Sequence, residues 1–102
     1  TKAAEQGHID GSQYMLGAMH YNGWGVAQDY KQSVKWYTKA AEQGLADAQY
    51  MLGVMHYNGR GVIKDYEQAA KWHTKAAQQG HVKAQNRLGY MYHKARGGNS
   101  GL

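Results

Sequence analysis

The chain repeats itself. Shifted by 36 residues, Gln13–Gly44 falls on Gln49–Gly80, and 23 of the 32 aligned positions are identical. A third copy opens at Gln85, keeps Leu88, Gly89 and Met91, and then degrades. Upstream, Thr1–Gly7 repeats Thr38–Gly44, with one extra residue before Gln13. Self-similarity at this period marks a stack of supersecondary units, none of which can bury its apolar face alone. The segmentation follows: 1–7 ends a preceding unit, 8–44 and 45–80 are complete units, 81–96 is the first helix of a partial unit, and 97–102 is a flexible tail. A partial unit at each end and Thr at position 1 suit a piece of a longer array.

Each unit reads as two helices around a glycine-punctuated turn. Ala48, Met51, Leu52, Met55 and His56 recur at three- and four-residue steps, the helical period. Asn58-Gly59-Arg60-Gly61-Val62 breaks that helix, and Asp65 with Gln68 three residues on has capping-box spacing, as do Asp29 and Gln32. The second helix turns Tyr66, Ala69, Ala70, Trp72, His73, Ala76 and Ala77 inward before Gly80. Strand signals are weak throughout. Calling the first helix of a unit A and the second B, the order is a stub of B, A-B, A-B, and a last A. Gly17, Gly53 and Gly89 each follow a core leucine (Leu16, Leu52, Leu88), where a missing side chain admits a neighbouring helix. Trp36 and Trp72 are expected to fill the space between layers.

Composition narrows the chemistry. The chain of 102 residues has no Cys, which removes disulfides, thiol nucleophiles and thiolate metal sites together. Its apolar runs fall far short of the roughly 20 residues a membrane-spanning helix needs. Six His invite a metal reading, yet no two stand at helical i, i+3 or i, i+4 spacing, and His20 and His56 lie on successive A helices. A half-buried His with a hydrogen bond is the simpler reading. If His20 and His56 are buried and neutral, stability falls as the solution acidifies. Gly23-Trp24-Gly25 and Gly59-Arg60-Gly61 follow helices rather than strands and lack the third glycine of a nucleotide-binding turn. Ser12, Ser33 and Ser100 have no base beside them in the pattern, so no nucleophile stands out. A net charge of +5 and Lys31, Lys35 and Lys39 along one face raise nucleic acid as a partner, but Glu67 interrupts the equivalent stripe before Lys71 and Lys75.

The full pattern resembles the Sel-one-like repeats, a 36-residue branch of the tetratricopeptide-like α-solenoids. Leu52-Gly53, Met55, Gly59, Gly61-Val62, Asp65, Ala69, Trp72, Lys75-Ala76-Ala77 and Gly80 carry it in the second unit. Leu16-Gly17, Met19, Gly23, Gly25-Val26, Asp29, Trp36-Tyr37, Lys39-Ala40-Ala41 and Gly44 carry it in the first. His20, His56, Ser33 and His73 depart from the pattern, as do Ala95 and Gly98 in the third copy. The resemblance implies an all-α, right-handed solenoid of helix-turn-helix units working as a non-enzymatic scaffold or adaptor that binds protein or peptide, with no cofactor. By analogy with tetratricopeptide units, the A helices line the concave side. They place Tyr14, Tyr50 and Asn86, then Ala18, Val54 and Tyr90, then Tyr21, Tyr57 and His93 in rows, with Asn22, Asn58 and Lys94 at the rim. The tyrosines suit peptide recognition, and equally suit packing between units. The implied core is Leu16, Gly17, Trp36, Leu52, Gly53, Trp72, Leu88 and Gly89. A structural or self-associating fragment without a separate ligand is the alternative, and a nucleic-acid-binding helical repeat ranks below it.

Overall fold

The computed structural model describes residues 2–100, and the side chains of 11–95. It holds five α-helices: α1 Lys2–Asn22, α2 Tyr30–Glu42, α3 Ala46–Asn58, α4 Tyr66–Gln78 and α5 Val82–Ser100. No strand occurs among the described residues. Each helix packs on its neighbours in sequence, α1 on α2 and α3 on α4 within units, α2 on α3 and α4 on α5 between them. The result is elongated, 56 × 29 × 17 Å.

The turns follow from the glycines and aspartates. Gly23 and Gly59 end α1 and α3 in the left-handed region, at φ 73° and 70°, where a Cβ is unfavourable. Asp29 and Asp65 then start α2 and α4 by accepting from the Gln32 and Gln68 backbone N–H at 3.2 and 3.1 Å. The reciprocal half of a capping box is replaced. Asp29 N–H donates to the His20 carbonyl at 2.8 Å and Asp65 N–H to that of His56 at 2.9 Å, which folds each turn back onto its own A helix.

Two boundaries differ from the sequence reading. Helix α1 runs unbroken through His8–Ser12, where a stub of the preceding unit was expected to end. Gly44 and Gly80 turn the chain at φ 98° and 87°, but glycine permits that conformation without imposing it, and Gly7 and Gly11 stay helical. Helix α5 continues past Ala95, so 97–100 carry helical backbone where a tail was expected. Ala95 stands where Gly23 and Gly59 supply left-handed caps, and its Cβ opposes that turn. Residues 101–102 lie outside the described residues.

The core is built from small residues and from rings seated on glycine. Ala40, Ala41, Ala48, Ala69, Ala76 and Ala84 are buried with Leu52 and Met55. The deepest ring in each complete unit is the neighbour of the B-helix tryptophan. Tyr37 is 2% and His73 0% exposed, whereas Trp36 and Trp72 are half-buried, with Lys39 and Lys75 ammonium groups 5.1 and 5.4 Å from their ring centroids. The indole lies at the margin because its position faces outward from the A-B contact, one helical step (about 100°) from the residue that enters it. Leu16 and Leu88 are half-buried, Gly17 and Gly53 buried, and Gly89 exposed. Ser33, buried in the first unit where the second has Ala69, satisfies its hydroxyl on the Gly17 carbonyl at 2.8 Å.

Candidate functional site

The A-helix tyrosines are held in place by rings on the B helices. Tyr14 meets Tyr37 at 5.4 Å between centroids, Tyr21 meets Tyr30 at 5.3 Å, Tyr50 meets His73 at 5.4 Å, and Tyr57 meets Tyr66 at 5.0 Å. All four pairs are tilted, a geometry that suits the ring quadrupoles, and each A-helix tyrosine stays half-exposed. Tyr50 also stacks on His81 at 4.9 Å. The His81 ring caps α5 by accepting from Ala84 N–H at Nδ1, which leaves Nε2 to donate to Asp47 at 2.8 Å.

The remaining row members divide. Ala18 belongs to the buried core rather than to a surface, because it faces the B helix of its own unit. Val54 is half-buried. Asn22 and Asn58 are exposed, but each Nδ2 donates to its own helix, to the Ala18 carbonyl at 2.9 Å and the Val54 carbonyl at 3.0 Å. Asn86, Tyr90 and His93 on α5 are exposed. The Lys94 ammonium lies 5.8 Å from the Tyr90 centroid, and the charge of the Tyr90 phenol raises the lysine pKa.

Electrostatics mark packing more than chemistry. Burial, then the Asp47 charge, pushes the Tyr14 phenol above its ordinary value, and burial does the same more strongly to Tyr37. Burial lowers His56, partly offset by Asp65. His73 falls to about 4, by burial first and then by the Arg87 and His81 charges. Neither His73 ring nitrogen has a partner, nor does Nδ1 of His20 or His56. Among the described residues no three His, Asp or Glu side chains gather as a metal site requires, and no helix is long and apolar enough to cross a membrane.

Several contacts carry no mark in the apolar pattern. A glutamine ladder recurs at the repeat period. Gln43 donates to Gln13 at 2.7 Å and Gln79 to Gln49 at 2.9 Å, while Gln49 and Gln85 donate to the Ala41 and Ala77 carbonyls at 3.2 and 3.1 Å. Arg60, in the α3–α4 turn, hydrogen-bonds the Tyr21 hydroxyl and places its guanidinium 5.9 and 5.8 Å from the Tyr21 and Tyr30 centroids, tying unit two to unit one. At the far end, Tyr57, Tyr66, Met91, Lys94 and Ala95 line an open recess of about 260 Å³. The repeated glutamines were visible as identities, but their partners are distant glutamine side chains and backbone carbonyls that every residue carries. The recess required knowing that α5 runs on.

A solenoid of paired helices, with ring-on-glycine seats inside units and polar ladders between them, is a helical-repeat scaffold. The chain belongs to the Sel1 repeat family, whose model matches residues 1–8, 11–45, 46–81 and 82–98. Solved structures agree. The chain is similar to a Sel1 repeat protein from Oxalobacter formigenes, at 40% identity and TM-score 0.79 over 80% of this chain and 34% of that one. It is similar to a protective antigen of uropathogenic Escherichia coli displaying an SLR fold, at 46% and 0.84 over 91% and 20%. It is also similar to cysteine-rich protein B of Helicobacter pylori, at 32% and 0.73 over 78% and 59%. The chain thus spans less than two thirds of each of these relatives. No curated protein matches the sequence closely enough to count as a relative.

Proposed function

We propose that the chain is a protein- or peptide-binding scaffold that works through its A-helix face, without a catalytic step or cofactor. Sel1 repeat proteins are helical scaffolds generally engaged in protein interactions, which gives the class. The observation that carries the finer reading is the row of half-exposed A-helix tyrosines, each pinned by a ring beneath it. A ring already fixed in one rotamer loses little entropy when a partner lands on it, so its contact area is used efficiently. Asn86, Tyr90 and His93 extend the same face onto α5 without a structural duty in the core.

The test is selection of binders from a displayed peptide library on the intact chain, followed by Asn86→Ala, Tyr90→Ala and His93→Ala. Weakened binders with an unchanged melting temperature support the face. Binders indifferent to these changes and to Tyr14→Phe and Tyr50→Phe overturn it.

A second reading has its own observation. Gly17 and Gly53 each seat a B-helix ring, but a Cβ on Gly89 would meet nothing within 4 Å. That open seat gives self-association through α5 a surface to use. Sedimentation equilibrium with and without Leu88→Gln decides between a dimer that the change dissociates and a monomer throughout. Phosphate-driven nucleic-acid binding stands below both, and a filter-binding titration would expose it by a steep loss with salt.

A further inference from the structure

The tyrosine pair Tyr57–Tyr66 is the one-unit translate of Tyr21–Tyr30, with nearly the same spacing, 5.0 against 5.3 Å. In unit one, the next turn closes over the pair with the Arg60 guanidinium, and Gly61 comes so near that a Cβ would lie 2.5 Å from the Tyr30 carbonyl oxygen. In unit two α5 passes Ala95 without turning, no described side chain closes over the pair in that way (Arg96, which corresponds to Arg60 in sequence, lies outside the described side chains), and a recess of about 260 Å³ opens there. Tyr66 is accordingly 54% exposed, whereas Tyr30 is half-buried.

The surroundings of the two pairs differ in charge. Around Tyr21–Tyr30 the equivalent positions are the neutral Gln28, Met51 and Asn58; around Tyr57–Tyr66 they are Lys64, Arg87 and Lys94. The Arg87 guanidinium stands 4.9 Å from the Tyr57 centroid and the Lys64 ammonium 5.8 Å from that of Tyr66, while Lys94 lines the recess itself. Asp65, adjacent to Tyr66, already accepts from Gln68 N–H. A seat that takes a cation in unit one is surrounded by cations in unit two. With Lys64, Arg87 and Lys94 around these rings, an anion is the favoured neighbour. The volume points the same way on size, since drug-sized ligands occupy about 300–1,000 Å³ and this recess suits a single side chain.

We infer that the Tyr57–Tyr66–Met91 recess is a docking site for an acidic peptide segment, one apolar or aromatic side chain entering between the rings while flanking carboxylates meet Lys64, Arg87 and Lys94. The inference rests on the reading of the chain as a protein-interaction module and names the chemistry of its partner. Tyrosine and methionine supply the adaptable apolar floor, and the cations set the sign of what lies beside it.

The probes are three short labelled peptides, followed by fluorescence anisotropy on the intact chain: a phenylalanine flanked by Asp and Glu, the same phenylalanine flanked by Lys, and the acidic flanks around glycine. The acidic phenylalanine peptide should bind at least about tenfold more tightly than either control. The double change Lys64→Glu, Lys94→Glu, at exposed positions that leave the fold intact by circular dichroism, should remove that preference. Tyr66→Ala should weaken the acidic phenylalanine peptide and leave the Lys-flanked one unaffected. Equal or tighter binding of the Lys-flanked peptide, or affinity unmoved by charge reversal, overturns the site. Loss of the acidic peptide on Asn86→Ala or Tyr90→Ala, with Tyr66→Ala harmless, also overturns it while leaving the A-helix scaffold reading standing.

Discussion

The imidazole of His73 occupies the space that a side chain on Gly53 would need, just as the Tyr37 ring occupies that of Gly17, where a Cβ would lie 2.7 Å from Cδ1. The A and B helices of a unit approach through these contacts, and both rings are buried, so neither can swing into solvent without opening the unit. Gly53→Ala and Gly17→Ala should therefore each destabilise by about 1–3 kcal/mol through overpacking, more than offsetting any gain in helix propensity. Gly89→Ala, whose added Cβ would meet nothing within 4 Å, should stabilise by up to about 1 kcal/mol. Urea denaturation of the three variants checks the contrast, and equal effects at Gly53 and Gly89 would refute it.

His73 also makes the fold acid-sensitive. Its pKa falls from the ordinary 6.5 to about 4 in the folded chain, with burial the main cause. Between those values the unfolded chain binds a proton that the folded chain refuses, so stability rises with pH across the window. It is complete above about 6.5, declines as pH falls, and has lost about 3 kcal/mol from this group near pH 4. Lowered His56 acts in the same direction. Replacing His73 with Phe removes two unpartnered nitrogens from the core and should raise the melting temperature. The difference in stability between variant and parent should widen on going from pH 7 to pH 4; a constant difference would show that His73 does not titrate in this way.

The repeat, the helix pairs and the glycine seats were legible because identity at a fixed period and apolar spacing at three and four residues report which face is buried. Which aromatic goes deepest was not legible. Trp36 and Tyr37 are adjacent, both are large, and only the phase of the B helix against Gly17 decides between them. The A-helix tyrosines were visible as a row, but their duty in packing depends on Tyr30, Tyr37, Tyr66 and His73, which lie one helix away. Ala18 shows the limit of analogy by position, since an alanine that lines a groove and an alanine that lets two helices touch read alike. The charge change around Tyr57–Tyr66 was present in Lys64, Arg87 and Lys94, yet nothing in their spacing says that they share one pair of rings.

The turns give a prediction that does not depend on the core. Asp65 starts α4 from an extended conformation, at φ −153° and ψ 103°, and its carboxylate accepts from Gln68 N–H. Asp65→Ala leaves that N–H without its side-chain partner and should cost about 1 kcal/mol, with Asp65→Asn retaining most of it. Asp29 holds the same geometry at α2, so Asp29→Ala should cost a similar amount. The two sites are a full repeat apart without shared partners, so the double variant should show the sum. Thermal melts of the set check this, and a double variant no worse than either single one would argue that the caps are not independent.

Truncating neighbouring aromatics on a B helix tests how the layers are filled. Tyr37 has 2% of its surface exposed, packs on Gly17 and Tyr14, and belongs to the central cluster; Tyr37→Ala should cost about 3–5 kcal/mol, the range for a buried aromatic. Trp72 packs against the same cluster only from its margin and shares its face with the Lys75 ammonium at 5.4 Å. Part of its surface already faces solvent, so Trp72→Ala should cost less, roughly 2 kcal/mol, despite removing more atoms. The order of the two effects is the readout, since absolute values shift with relaxation around each cavity. A larger loss at Trp72 than at Tyr37 in urea denaturation would return the indole to the role that its size suggests, and would place the principal inter-helix contact on the outer side of the B helix.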